Sequence, residues 1–482
     1  MSISSAINTA RSGLQVSSLR AEIVATNVAN ATTPGYVRRS VSLSETVLGT
    51  SSAGVRIDGI ARAYDSVIKS HRRDLTSGLS QANVMASTWK SISTRLGDNT
   101  TGAGLFNSFA NFQSSLSRAL TSPESASAAS SLLDSAKGIV SELNSLSAMV
   151  RTQRAEADRE ISDGVTVVNN ALKKIENLNK QLAGIDRTSG QAAALIDERQ
   201  RVLDTIAEYL PIQTVDRDSG AIDVLTKEGV YLVAGQARQI EFTAASAFGP
   251  EQTLAGGQLS GLTVAGVSLT PGSDSFAAVS GGLFGALFTL RDTDLPNFSA
   301  QLDTIAADLI SRLSNDSIDP TKTPGDYGLF IDPDSSAGAG LAGRISINAA
   351  VDPAQGGATW RLRDGLGAAA SGDPGNVSIL QGMYNAFTGL QTINTAGITG
   401  TFSATELVAH LSSVAGQTRI HHESVLSSVQ IQHAVMVEYE QTETGVDIDT
   451  QMQELLLVEQ AYAANARVIE VASQLIKILM EL

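Results

Sequence analysis

Leu132-Leu133-Asp134-Ser135-Ala136-Lys137-Gly138-Ile139-Val140-Ser141-Glu142-Leu143-Asn144-Ser145-Leu146 sets Leu132, Ala136, Ile139, Leu143 and Leu146 at alternating steps of four and three. Continued to Val150, this is the stripe of a helix that buries one face along its whole length. The stripe resumes at Ile161, Val165, Val168, Leu172 and Ile175 and fades near Gly184. Upstream, Ser122-Pro123-Glu124 reads as its start: an N-cap serine, proline at the first helical position, then an acid. The result is a coiled-coil-like rod of about sixty residues, far longer than a typical globular helix.

Moving outward toward the C-terminus, a shorter helix is expected over Gln191–Leu210. At Pro211 the period changes to strands over Ile212–Val215, Ile222–Thr226 and Val230–Val233. Asp218-Ser219-Gly220 and Lys227-Glu228-Gly229 supply the turns between them. Glycine-rich strand signals continue to about Gly282, so residues 211–282 read as an outer β domain. Helix returns over Leu283–Leu313, with Leu302, Ile305, Leu309 and Leu313 on one face. Residues 315–376 form a Gly/Asp/Pro-rich loop-and-strand region, and helices follow over Val377–Gln441.

The two ends carry matching stripes. Ile3, Ile7, Ala10, Leu14, Ser17, Ala21, Val24 and Val28 lie on a heptad lattice that Pro34-Gly35 stops. Ile448, Met452, Leu455, Tyr462, Ala466, Ile469, Ile476 and Met480 follow the same lattice, interrupted by Glu459 and Ser473. Each helix runs about thirty residues, or roughly 45 Å. One such stripe is explained by packing on its own domain. Two, at opposite ends of one chain, favour pairing with each other or with neighbouring subunits. The fold expected is mainly α with a β insert (α+β). Residues 1–40 and 442–482 make a terminal coiled-coil domain, residues 41–210 and 283–441 a helical rod domain, and residues 211–282 the outer β domain.

Composition excludes several functions. Of 482 residues, 34 are basic and 49 acidic, and no Lys/Arg run is long enough to track a phosphate backbone. The strongest basic cluster, His71-Arg72-Arg73, is expected to be a solvated helix face. The absence of cysteine removes disulfides, thiolate metal sites and Cys nucleophiles. Residues 1–30 lack the basic and apolar regions of a cleavable signal peptide, and Leu455-Leu456-Leu457-Val458 is far too short to span a membrane. No membrane insertion and no nucleic-acid partner are expected.

Chemical motifs fail on context, leaving no catalytic, cofactor-binding or metal residues to nominate. Gly338-Ala339-Gly340-Leu341-Ala342-Gly343 matches G-x-G-x-x-G, but a turn precedes it and a strand follows, the reverse of a dinucleotide site. Asp332, Asp334 and Ser336 begin like a calcium loop, yet Ala337 and Gly343 stand where glycine and glutamate are required. His410 with His421, and His422 with His433, share helix faces about 16 Å apart, too far to hold one ion. Ser87-Thr88-Trp89-Lys90 is an isolated S-x-x-K on an expected helix.

Asn27-Val28-Ala29-Asn30 followed by Thr33-Pro34-Gly35-Tyr36-Val37-Arg38-Arg39 resembles the N-terminal signature of flagellar axial proteins, in the Pro-Gly-Tyr-x-Arg form of the hook-associated FlgK family. Gly445-Val446-Asp447-Ile448-Asp449 and Glu459-Gln460-Ala461-Tyr462-Ala463-Ala464-Asn465-Ala466-Arg467-Val468 resemble that family's C-terminal motifs. Asp197-Glu198-Arg199-Gln200 and the segment from Gly285 to Pro296 resemble its middle. Arg39 stands where Gln is usual, and Thr450-Gln451 replaces an acidic pair. The resemblance implies a non-enzymatic, cofactor-free subunit of the extracellular flagellum at the hook–filament junction. It also implies self-association in a ring, contacts with the hook protein and a second junction protein, and a cytoplasmic export chaperone on the C-terminal helix. Subunit contacts are then expected at Ile3, Ile7, Leu14, Val24, Val28, Leu455, Tyr462, Ile469 and Ile476. The axial-motif residues are Asn27, Asn30, Pro34, Gly35, Tyr36, Arg38, Gly445, Val446 and Asp449. Competing readings are another axial protein of hook or distal rod, a wall hydrolase carried on axial-type ends, and an adhesin acting through the β insert.

Overall fold

The computed structural model describes residues 3–48, 51–97, 102–250, 252–334 and 338–481. It is mostly helical with small antiparallel sheets. α1 (Ile3–Ala29) follows the N-terminal stripe. A hairpin of β1 (Arg39–Leu48) and β2 (Ser51–Arg62) comes next, where helical domain was expected to begin. Val41 and Leu43 alternating with Ser40, Ser42 and Ser44 spell out this strand. α2 (Ser66–Leu96) starts at Asp65, whose carboxylate accepts the Val67 and Ile68 amides. α3 (Leu105–Thr121) leads to α4 (Ala126–Ala183), the rod helix. Its N-cap is Ser125, which accepts from the Ala128 amide, and not Ser122. Ser122 is already used in closing α3 through its amide on Arg118 O, so Pro123-Glu124 form a turn instead. At 1.5 Å per residue, the 58 residues of α4 extend about 87 Å.

α5 (Gly190–Tyr209) delivers the chain to a meander of β3 (Ile212–Asp216), β4 (Ile222–Thr226), β5 (Tyr231–Ala234) and β6 (Gln236–Ala237). A second sheet joins β7 (Ile240–Glu241), β8 (Thr263–Val264) and β9 (Val267–Ser268). α6 (Gly282–Thr289) and α7 (Leu295–Leu313) were expected as one regular helix, but a π-helical turn over Leu290–Asp294 separates them. There the Leu295 amide reaches Leu290 O, five residues back. Next come β10 (Phe330–Ile331), β11 (Ser346–Ile347), α8 (Arg361–Asp364) and α9 (Ser378–Thr388). A hairpin of β12 (Gln391–Thr395) and β13 (Ile398–Phe402) then lies within the stretch where only helices were expected. Ala396-Gly397 turns it, both with positive φ. α10 (Ala404–Thr444) and α11 (Ile448–Glu481) complete the chain.

Every apolar residue of the predicted α4 stripe is buried, and the stripe serves two cores in succession. Leu132 to Val150 meet Phe109 and Phe112 of α3, Leu302 and Ile305 of α7, and Phe387 of α9. Ile161 to Ile175 meet Leu203 and Ile206 of α5, Val224 and Leu232 of the meander, and Phe284 and Phe288 of α6. The strands after Pro211 therefore share their core with the rod; the change at Pro211 is one of element, not of core. Between the two cores lies a buried polar layer. Arg291 donates to Asp158 Oδ1 at 2.6 Å, and Arg154 Nε donates to Arg291 O at 2.9 Å. Charges this deep are tolerated because they are paired and hydrogen-bonded.

Two antiparallel helix pairs complete the architecture. In one, Asn27 of α1 faces Gln451 of α11, and Gly13 faces Asn465. In the other, Lys69, Thr76 and Trp89 of α2 meet Glu440, His433 and His422 of α10 in turn. Gly282, where the chain enters α6, has φ +73°, and a Cβ there would fall on the Tyr209 carbonyl. Gly282→Ala is accordingly expected to cost about 1–3 kcal/mol. Urea unfolding measures it; an unchanged midpoint would show that this corner is not under constraint.

Candidate functional site

The segment after α1 is closed by its own side chains. The Asn30 amide group donates to Thr26 O at 2.9 Å, ending the helix, and Thr33 N donates to Asn30 O. Pro34 and Gly35 then occupy the centre of a turn closed by Tyr36 N on Thr33 O at 3.1 Å. Proline first and a glycine at φ +75° second is what a type II turn requires. The turn aims Tyr36 back toward α1.

Asn27 gathers what the turn returns. Its amide nitrogen donates to Arg39 O at 2.8 Å and to Gln451 Oε1 at 2.7 Å. Its oxygen accepts from Tyr36 Oη at 2.8 Å and from Arg39 N at 3.0 Å. An asparagine amide offers two N–H donors and two lone pairs, and all four are used. Because Arg39 presents an unambiguous N–H and C=O, only one orientation of the amide satisfies the set. Asn27 is 1 % exposed. One side chain thus joins α1, the turn, β1 and α11.

A second knot fastens the hairpin to the rod. Asp197 of α5 receives Arg39 at 2.9 Å and Arg62 Nε at 3.0 Å, one guanidinium from each strand. The Arg39 guanidinium also lies over the Tyr36 ring, 4.8 Å from its centre, and burial pushes the Tyr36 phenol up in pKa. Beside it, Arg72 pairs with Asp204 of α5 at 2.6 Å and Glu440 of α10 at 2.5 Å. Lys69 also pairs with Glu440, and Arg73 with Asp204 at 2.7 Å. Arg72 and Arg73 are therefore not the solvated face expected of them; acids from two other helices draw them inward, and only His71 is exposed. A cleft of about 370 Å³ opens between the turn and the end of α10.

The C-terminal motif closes the same corner. Gly445 caps α10, and a Cβ there would strike Gln441 O. Asp447 caps α11 by accepting the Thr450 and Asp449 amides, which holds its carboxyl below the usual carboxylate range. Asp449 stands exposed in the first turn, favourable to the helix dipole. Arg38 N donates to Thr444 O at 2.8 Å. Val446 and the Arg38 side chain are half-buried, and Pro34 and Gly35 are exposed.

The expected subunit-contact residues divide. Val24 is buried in the α1–α11 arm, while Ile3, Ile7, Leu14, Val28, Leu455 and Ile469 are half-buried. Tyr462 and Ile476 face outward. α11 meets α1 through Gln451, Val458, Asn465 and Ala472, one per heptad, rather than through the apolar stripe read from the sequence. Asn465 fits over Gly13, where a Cβ would come within 2.7 Å of its amide. The larger apolar side chains consequently remain on the surface: Leu457 is 65 % exposed and Leu479 62 %, with Met452, Leu456, Val468, Val471, Leu475 and Ile478 also exposed. Sequence reading missed Gln451, Asp197 and Arg62 as organising residues. A search for apolar period passes over a seam made of Gln, Val, Asn and Ala.

The G-x-G-x-x-G segment is occupied from within. Gly340 N and Ala342 N each donate at 2.7 Å to one oxygen of Asp303, so an internal carboxylate fills the nest that a phosphate would need. Asp332 is tied to Arg344 at 2.9 Å, while Ser336 and Ala337 lie outside the described residues. Among the described residues no three His, Cys, Asp or Glu side chains could hold a metal, and no helix is long and apolar enough to cross a membrane.

Comparison with known proteins agrees with this corner and with the rod. Residues 89–317 match the family described as "Flagellar hook-associated protein FlgK helical domain", and residues 7–36 match "Flagella basal body rod protein". Flagellar hook-associated protein 1 of Salmonella typhimurium is 26 % identical over 314 residues, covering 63 % of this chain and 55 % of that one. The Bacillus subtilis protein of the same name is 24 % identical over 235 residues, 46 % of each chain. The solved hook junction protein FlgK of Burkholderia pseudomallei superposes with a TM-score of 0.43 at 20 % identity, over 54 % of this chain and 46 % of that one. That likeness is too low to bear on the fold. The matches extend over about half the length of these relatives, 55 % of one and 46 % of the other. The class they define is that of flagellar axial proteins. Within it, the chain is similar to the FlgK family over residues 89–317.

Asp197→Ala leaves two guanidiniums half-enclosed and unpaired. It is expected to destabilise the chain by about 3–5 kcal/mol, as removal of one partner from a buried ion pair does. Chemical unfolding of the purified chain reads this directly. A loss below about 1 kcal/mol would mean that the hairpin is held to α5 by other contacts.

Proposed function

We propose that this chain is a structural, non-enzymatic subunit of the bacterial flagellum, acting outside the cell as the junction between hook and filament. One observation carries the reading: α11 presents most of its large apolar side chains to solvent while meeting α1 mainly through Gln451, Val458, Asn465 and Ala472. A monomer rarely exposes an apolar surface of this extent; it is the mark of an assembly face. Copies arranged in a ring bury these faces against one another, and Tyr462 and Ile476 belong to that contact. The hook protein lies on one side of such a ring and a second junction protein on the other.

The same helix supplies the features that export demands. An arm held by small residues gains little from burial when isolated, so it opens at low cost and orders on assembly. Its C-terminal half is accessible to a cytoplasmic chaperone before the chain is exported unfolded. Another axial role, in hook or distal rod, shares the residue 7–36 match but not the match to the FlgK helical domain.

Electron microscopy of flagella from a strain lacking the gene tests the reading. Bare hooks, with filament protein shed into the medium, are expected. Normal filaments would refute the junction role and leave the axial ends as an export address.

A further inference from the structure

α10 is attached in two different ways along its length. Its first part, through Leu407, Val408, Leu411 and Ala415, is buried in the α3–α4–α7 core. From residue 416 to 443 no side chain is buried. This outer segment carries one half-buried row, Thr418, His422, Leu426, Val429, His433, Met436 and Glu440, of which His422, His433 and Glu440 meet side chains of α2. The opposite side carries Ile420, Ile431, Val435 and Tyr439 exposed. Attachment by so thin a seam contributes little hydrophobic free energy, so its polar members decide whether it holds.

Two of those members are imidazoles. His422 stacks on Trp89 of α2, ring centres 6.5 Å apart and nearly parallel at 14°. His433 lies 3.1 Å from Thr76 Oγ1. The charged groups facing them differ. His433 faces Arg72 of α2, and the nearby carboxylates, Glu440 on its own helix and Asp204 on α5, are already bound to Lys69, Arg72 and Arg73. His422 faces Asp294 of the π turn and its own neighbour His421. Asp294 in turn accepts the Trp89 indole N–H at 3.3 Å.

We propose that the α2–α10 seam is an acid-releasable latch, in which protonation of His433, assisted by His422, frees residues 416–443 from α2 while both rod cores stay folded. A proton on His433 places a cation against Arg72 in a half-buried seam. Burial, and then Arg72, hold the His433 pKa below the ordinary histidine value; burial, and then His421, do the same at His422. The attached seam therefore binds fewer protons than the released one. Its stabilisation is fully present above the free imidazole pKa, about 6.5, and is lost as pH falls through the lowered values. Asp294 works in the opposite sense at His422, because burial raises its pKa and its protonation favours the attached state. His433 thus contributes the larger share. Since Thr444 holds the turn through Arg38 N, release of this segment loosens the anchorage of the terminal arm.

Hydrogen exchange on the full chain tests the latch at about pH 7.5 and about pH 5.5, on either side of the free imidazole pKa. After correction for intrinsic rates, amides 416–443 are expected to exchange several-fold faster at the lower pH, and amides 132–182 of α4 at an unchanged rate. A chain carrying His422→Gln and His433→Gln should keep equal protection at both values. Wild-type protection independent of pH would overturn the proposal, as would a full pH response in the double variant. Faster exchange throughout α4 would overturn it too, by showing global unfolding.

Discussion

The amide of Asn27 is the point on which the rest of the molecule's terminal architecture depends. Four hydrogen bonds to one buried side chain connect elements that are far apart in sequence, with Gln451 lying 424 residues downstream. A buried polar group of this kind stabilises little compared with a well-packed apolar one, but it is costly to leave unpaired. Its effect is therefore one of selection. Registers of α11 against α1 that strand the amide are disfavoured, and the fit of Asn465 over Gly13 adds to the same choice. Buried asparagines set register in coiled coils for the same reason.

From that fixed corner the fold divides its tasks. The rod is stabilised by apolar burial, with α4 threading two cores and a paired polar layer between them. The terminal arm is stabilised mainly by geometry and hydrogen bonds, and keeps its apolar surface outward. A chain built this way has a part with cores of its own and a part that leaves large apolar side chains exposed. The ion network of Arg39, Arg62 and Asp197, with Lys69, Arg72, Asp204 and Glu440, holds the two parts in one orientation.

Much of the rod was legible in the sequence, because each residue of the α4 stripe lies on one helix face and is buried, first in one core and then in the other. The first three strands after Pro211 were legible for a similar reason: turn residues bracket them. The hairpins at residues 39–62 and 391–402 were not, since Ser- and Thr-rich alternation is weakly apolar and sits between strong helical signals. At the site, the motif residues from Asn27 to Arg39 and from Gly445 to Asp449 were visible as patterns, but nothing in the pattern reveals what each side chain touches. Arg39 looked like a departure from the motif the sequence resembles and proves to be a structural cation. Arg72 and Arg73 looked solvated, because sequence does not show which carboxylates the fold will bring to them. The residues that α11 buries against α1 were not legible, since Gln451, Val458 and Ala472 lie off the apolar stripe while most of its large side chains stay exposed.

The coupling between Asn27 and Gln451 is the most direct test of this account. A double-mutant cycle of Asn27→Ala and Gln451→Ala, read by equilibrium unfolding, isolates their interaction from each side chain's other contacts. A coupling of about 0.5–3 kcal/mol is expected for partners within one hydrogen-bond network. Additive effects would contradict the claim that this amide holds the two ends of the chain in register.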